Sequence, residues 1–135
     1  MIGEKIDELS AKITGTRVIP AEGGNVKVEV SFVGTGKFLG VEAMEMGTYQ
    51  SVMTPAGVLN GEGHGLAMSS DGDALTWTGH GVGRPMGKGM AASWRYSLVI
   101  RTASSCWARL NGVLAIGEWE VDEAGNGKAQ VWEWK

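Results

Sequence analysis

The acid–base, nucleophilic and metal-binding chemistry open to this chain rests on 15 carboxylates, two histidines and one cysteine. The densest grouping is Glu62 with His64, inside the run GEGHG (61–65). Residues two apart on an extended chain project from the same face. A carboxylate beside an imidazole, shielded from water, can polarise a carbonyl or shuttle a proton, so Glu62 and His64 are the candidate catalytic pair. The competing reading makes them rim or structural polar groups that meet solvent or one another. His80, in TWTGHGVG (76–83), is the second imidazole. A hairpin turn at Asp71-Gly72 would send His64 and His80 to opposite faces, so a site of three ligands with Glu62 is not expected. Neither a metal nor a cofactor is anticipated. Cys106 is the only cysteine, which excludes an internal disulfide, and its expected fate is burial as a small hydrophobe.

The elements that must position these groups read as strands. Twenty-two glycines against three prolines, without low complexity, point to tight turns and close backbone approaches. Alternating polar and apolar residues are interrupted by turn chemistry every ten to fifteen residues. Turns are expected at residues 21–24, 34–37, 54–57, 70–73 and 123–126, with a longer loop at 85–89. Strands then fall at about 11–19, 25–33, 37–53, 58–69, 74–84, 91–103, 113–121 and 128–134. Eight antiparallel strands in a meander predict an all-β fold closing into a barrel. Ile2, Ile6, Leu9 and Ile13 have a spacing compatible with a short N-terminal helix, or with an extension of the first strand.

Two-residue turns fix which residues sit opposite one another. Turning at Thr35-Gly36 places Phe32, Val30 and Val28 beside Leu39, Val41 and Ala43. Turning at Pro55-Ala56 places Tyr49 and Gly47 beside Glu62 and His64, and turning at Asp71-Gly72 places Leu66 beside Trp77 and His64 beside Gly79. One face results, and it gathers most of the large apolar groups. It carries the expected ligand-binding residues Tyr49, Asn60, Glu62, His64 and Trp77, with Gly79, Gly81 and Gly83 leaving space opposite. Trp94 and Tyr96 belong to a later apolar stripe with Leu98 and Ile100, also read as inward. Arg17 shares the inward phase if the 21–24 loop has four residues. The methionines, Met44, Met46, Met53, Met68, Met86 and Met90 among them, read chiefly as core filler, and Trp119, Trp132 and Trp134 as core opposite solvent-facing glutamates.

Length and charge narrow the partners. At 135 residues, one domain covering 1–135 is expected, large enough to hold together by its core alone. The net charge is −3 with scattered Lys and Arg, so the basic stripe that nucleic acid or anionic lipid requires is missing. The first ten residues carry three carboxylates and one lysine and no apolar core of a signal peptide. No apolar run reaches membrane-spanning length. A cytoplasmic chain with neither a nucleic-acid nor a membrane partner is the expectation. The glycine runs lie within strands and lack the spacing of a phosphate loop.

GEGHG (61–65), TWTGHGVG (76–83) and ARLNGV (108–113) together resemble the allene-oxide-cyclase-like barrels, particularly the small bacterial members of that calycin-like superfamily. The resemblance spans residues 26–134 in organisation. It implies an eight-stranded barrel and, through the plant members, which isomerise and cyclise an oxylipin epoxide, an isomerase or cyclase. No catalytic motif of that family is matched, so no site residue is carried over. Two functions remain open from the sequence. One is a barrel holding a small hydrophobic or amphipathic molecule in its lumen, with or without isomerase or cyclase activity. The other is a packed, ligand-free barrel that works as a homo-oligomeric or protein-interaction module.

Overall fold

The computed structural model describes residues 1–135. Eight strands run β1 (Ile2–Glu22), β2 (Asn25–Phe38), β3 (Val41–Met53), β4 (Leu59–Met68), β5 (Ala74–Pro85), β6 (Ala92–Thr102), β7 (Leu114–Val121) and β8 (Asn126–Trp134). Each pairs antiparallel with the next, and β8 pairs with β1, so the sheet closes into a barrel with no free edge. The expected eight-stranded meander is what forms. The N-terminal residues are strand and not helix. Leu9 and Ala11 alternate inward with exposed Glu8 and Ser10, and ladder pairing to both β2 and β8 overrides the accidental helical spacing.

A short 3₁₀ helix, Ser105–Gly112, connects β6 to β7 and closes one end of the barrel. Its Trp107 and Leu110 are fully buried. The Trp107 indole N–H donates to the Phe38 carbonyl at 2.9 Å while its ring meets Phe38 edge-on. Asn111 locks the helix to β6 by accepting from the Thr102 N–H and donating to the Thr102 carbonyl. Arg109 bridges to Glu4 on β1 and Glu133 on β8. Trp107 and Leu110 therefore form the plug, and Arg109 and Asn111 fasten it. Cys106 on this helix is exposed, because Trp107 and Leu110 take the inward positions.

The turns set the faces, and several differ from expectation. β2 continues through Thr35-Gly36 and turns at Leu39-Gly40, both with positive φ, as a two-residue hairpin requires. Phe38 therefore pairs with Val41, a register displaced by an even number from the expected one, so the faces of β2 and β3 survive. Three other loops share one design. Thr54, Ser69 and Asp122 each accept at their carbonyl from the N–H of a glycine three residues on (Gly57, Gly72, Gly125) and donate their own N–H to the carbonyl one residue further. Each of those glycines has positive φ. These are three-residue loops, a type I turn followed by a left-handed glycine. The first and second of them each move the register by one residue relative to a two-residue turn, in opposite senses: Met53 pairs with Leu59 and Met68 with Ala74. β4 is thus inverted relative to expectation, while β5 recovers its expected face.

The inversion moves the candidate pair. Asn60, Glu62 and His64 project from the outer surface, and Gly61, Gly63, Gly65 and Ala67 face inward. Arg17 lies on the exposed part of β1 and pairs with Glu29. None of the methionines is buried; Met44, Met46, Met53 and Met68 stand on the outside of β3 and β4 or at their ends. Trp119 is in the core, but Trp132 and Trp134 share the outer phase of β8 and Trp134 is about half exposed (51 %). No helix is long and apolar enough to cross a membrane.

The core has two layers. Ile6, Phe38, Leu75, Leu98, Ile100, Trp107, Leu110 and Val131 pack at the plugged end. Leu9, Phe32, Trp94, Trp119 and Val121 form the second layer. Inward glycines make this possible. A Cβ on Gly83 would lie 2.6 Å from the Trp94 ring, and one on Gly61 2.8 Å from it. Large rings lie flat on strands that offer no side chain, so rings fill much of the space that glycine opens.

Candidate functional site

Between the two layers lies a cavity of about 80 Å³. Two carboxyl groups, Asp7 and Glu45, reach it from β1 and β3, and their residues are only 4 % and 3 % exposed. A bulge positions the first. Lys5 pairs with Trp132 but Asp7 with Val131, so one extra residue is inserted in β1 and the adjacent residues Ile6 and Asp7 are both buried. Glu45 follows the inward phase of Ala43, Gly47 and Tyr49. It crosses β2 over Gly36, where a Cβ would collide with the Glu45 carboxyl.

The carboxyls hydrogen-bond each other. Beyond this mutual contact, Asp7 Oδ1 and Glu45 Oε2 find no donor in the protein. Burial in apolar surroundings raises both, because it penalises the charged form. Glu45 is pushed up to about 10, with the hydrogen bond and charge of Asp7 adding to burial. Asp7 is raised to about 7, since the hydrogen bond from Glu45 partly offsets its burial. Burial therefore keeps a proton on the pair at neutral pH, where one carboxyl serves as acid to the other as base.

The remaining walls are aromatic. Trp77, Trp94, Tyr96 and Trp119 line the cavity with Phe32, Phe38, Leu98 and Tyr49. Phe32 and Trp119 have ring centroids 5.0 Å apart, and Tyr49 meets Trp94 edge-on at 5.5 Å. The Trp119 indole N–H donates to the Tyr49 hydroxyl at 3.2 Å. Burial raises the Tyr49 phenol, opposed by that bond. It raises Tyr96 further, with the neighbouring charges of Asp7, Glu45 and Glu118 acting in the same direction. Both hydroxyls are uncharged donors at neutral pH.

Of the residues expected at a site, the structure brings Tyr49, Trp77, Trp94 and Tyr96 together around this cavity. Asn60, Glu62 and His64 are not among the side chains facing it. The Glu62 carboxylate instead lies 3.9 Å from His80 on the outer surface, both well exposed, and Glu62 and His80 border the cavity only through their backbone beside the glycines. His64 and His80 share that outer face, contrary to the expected opposition, as a consequence of the one-residue register change. No group of three or more His, Cys, Asp or Glu side chains is placed to hold a metal. Asp7 and Glu45 are the residues the sequence search passes over. Glu45 was legible, because the inward phase of Ala43, Gly47 and Tyr49 runs through it. Asp7 shares the phase of Leu9 and Ala11, but only strand pairing reveals it.

No protein-family profile matches the sequence, and no curated protein matches it. Solved structures match the fold. A protein of unknown function from Rhodopseudomonas palustris superposes with a TM-score of 0.81 at 14 % identity, covering 98 % of this chain and 97 % of its own. A β-barrel-like protein from Acinetobacter baumannii gives 0.82 at 12 % identity, covering 100 % and 96 %. An enzyme from Penicillium herquei gives 0.67 at 18 % identity, covering 96 % and 92 %. At these identities the likeness is one of architecture.

Proposed function

We propose that this barrel binds a small hydrophobic or amphipathic molecule in its lumen and moves a proton on it, with Asp7 as base and Glu45 as acid. The observation that carries the reading is the buried carboxyl pair, two of whose oxygens lack any donor outside the pair and which faces a cavity walled by aromatic rings. Burying two carboxyls that rely chiefly on each other is costly, and function can explain that cost. An acid and a base with separated proton affinities in a water-poor site suit isomerisation or cyclisation, which need no net proton and no redox partner. That is the reaction class implied by the resemblance to allene-oxide-cyclase-like barrels, and the Penicillium herquei barrel shows that the architecture can host an enzyme. Glu62 and His64, on the outer wall, have no part in this mechanism.

The cavity limits the reacting part. Its 80 Å³ is about half the roughly 150 Å³ in which an engineered apolar cavity holds benzene. A headgroup of a few heavy atoms enters, and any larger body extends beyond it. Thermal shift against lipophilic and amphipathic metabolites tests the reading. A ligand at a hundred times its Kd adds about 2.7 kcal/mol, and that gain should shrink in Asp7→Asn and Glu45→Gln. Stabilisation equal in the wild type and both variants would refute a role for the pair.

A second reading is favoured by one observation on the outside. Ile2, Val99, Leu114 and Trp134 are exposed, and they lie on consecutive strands in register across β1, β8, β7 and β6. Such a patch suits a homo-oligomer. Sedimentation of wild type against Trp134→Glu checks it: a lighter species in the variant supports self-association, and an unchanged monomer dismisses it.

A further inference from the structure

The Tyr49–Trp119 contact has a direction that bears on the substrate. An indole N–H can only donate, so the Tyr49 oxygen accepts in this bond. The phenolic proton of Tyr49 is left free, since Trp119 is the sole side-chain hydrogen-bond partner of that hydroxyl. Tyr96 contributes a second hydroxyl with no hydrogen-bond partner in the protein. The cavity thus offers free O–H donors as well as the carboxyl pair. No lysine, arginine or histidine side chain faces it, because the His80 imidazole is 78 % exposed on the outer wall.

Three kinds of polar headgroup can be weighed against this inventory. A carboxylate or phosphate would be placed among carboxyls with no cation to pair it. An ammonium would pair with Asp7 but leave the tyrosine protons without an acceptor and occupy the base. A neutral carbonyl accepts from the hydroxyls and leaves Asp7 free to act.

We infer that the substrate presents a neutral, enolisable carbonyl to this cavity, that the Tyr49 hydroxyl holds the carbonyl oxygen, and that Trp119 positions Tyr49 for this. The inference rests on the acid–base reading of Asp7 and Glu45. Asp7 takes the proton from the carbon beside the carbonyl. The C–H pair becomes a C=C bond, and the C=O π pair moves to oxygen, where the Tyr49 O–H stabilises the developing charge. Asp7 then returns the proton, to the same carbon or to one conjugated with it. Electrons and protons balance without a co-reactant. Tyr49 is a catalytic residue in this scheme and Trp119 a positioning residue.

Butanone labelled with ¹³C at the carbonyl is the probe, small enough for the cavity. Exchange of its α-hydrogens in D₂O at pH 8 is followed by NMR with the whole protein, together with the bound carbonyl signal. Wild type should accelerate exchange over buffer and shift the carbonyl downfield. Tyr49→Phe should lose about a hundredfold in exchange and return the carbonyl signal upfield. Trp119→Phe should lose less, about tenfold, with the same direction of carbonyl shift. Asp7→Asn should abolish exchange while leaving the carbonyl downfield. Near-ultraviolet circular dichroism confirms that each variant is folded. If Tyr49→Phe leaves both readouts unchanged while Asp7→Asn abolishes exchange, the inference fails and the acid–base reading stands. Exchange that persists in Asp7→Asn overturns both. Failure of wild type to bind butanone, or displacement of butanone by propylammonium at equal concentration, overturns the carbonyl inference alone.

Discussion

Raising the pH should destabilise this protein through Asp7 and Glu45, against the usual behaviour of carboxylates held in ion pairs. The folded pair keeps protons that the unfolded chain has already released: Glu45 is raised from 4.5 to about 10 and Asp7 from 3.8 to about 7. A raised carboxyl contributes stability that is complete below its unfolded value and is lost as pH climbs toward its folded value. Each extra proton in the native state makes stability fall by about 1.4 kcal/mol per pH unit. Counting Glu45 alone, about 3 kcal/mol disappears between pH 5.5 and 7.5. For a chain of this size that is a fall in Tm of roughly 10 °C, and Asp7 steepens it below pH 7. Glu45→Gln preserves a donor to Asp7 but removes one titrating group, so its slope should be shallower by one proton and its Tm at pH 8 higher than wild type. Differential scanning calorimetry across pH 5.5–8 measures both quantities. A Tm that is flat or rises over this range, or a Glu45→Gln slope equal to the wild type's, would refute the reasoning, because it would mean the pair is hydrated or already charged in the native state.

Other expectations follow from the packing. Trp107→Phe removes the indole donor to the buried Phe38 carbonyl and should cost about 0.5–1.5 kcal/mol in urea denaturation, from the lost hydrogen bond alone. Gly65→Ala places a methyl against the Trp77 ring and the Met46 carbonyl, so overpacking of about 1–3 kcal/mol is expected by the same assay. Gly72→Ala forces a side chain into the left-handed region at φ 89° and should lower stability by about 1–2 kcal/mol, whereas Asp71→Ala beside it should do much less. Replacing Glu62 by Gln and His64 by Ala on the outer wall should leave ligand-induced thermal shifts unaltered; a lost shift would return these residues to the site.

The class of the fold is legible in the residue pattern. Alternation with period two, glycine-rich turns at short intervals and the absence of a sustained helical period admit little but an antiparallel meander. Most of the aromatic lining was legible as well: Tyr49 precedes the misread loops, Trp94 and Tyr96 belong to a stripe of their own, and Trp77 keeps its face because the two one-residue register changes around β4 cancel. The face of β4 was legible in principle. Thr54, Ser69 and Asp122 each stand three residues before a glycine, and that repeated spacing marks three-residue loops. Read as two-residue turns, those loops put Glu62 and His64 inside, because a one-residue change in register exchanges the two faces of a strand. The tertiary structure alone decided the carboxyl pair. Asp7 and Glu45 are 38 positions apart and meet across β2, which depends on the bulge in β1, on glycine at position 36 and on closure of β1 against β8. None of these is a local preference. Which ionisable groups lose their water is set by the curvature of the closed sheet, and that is a property of all eight strands together.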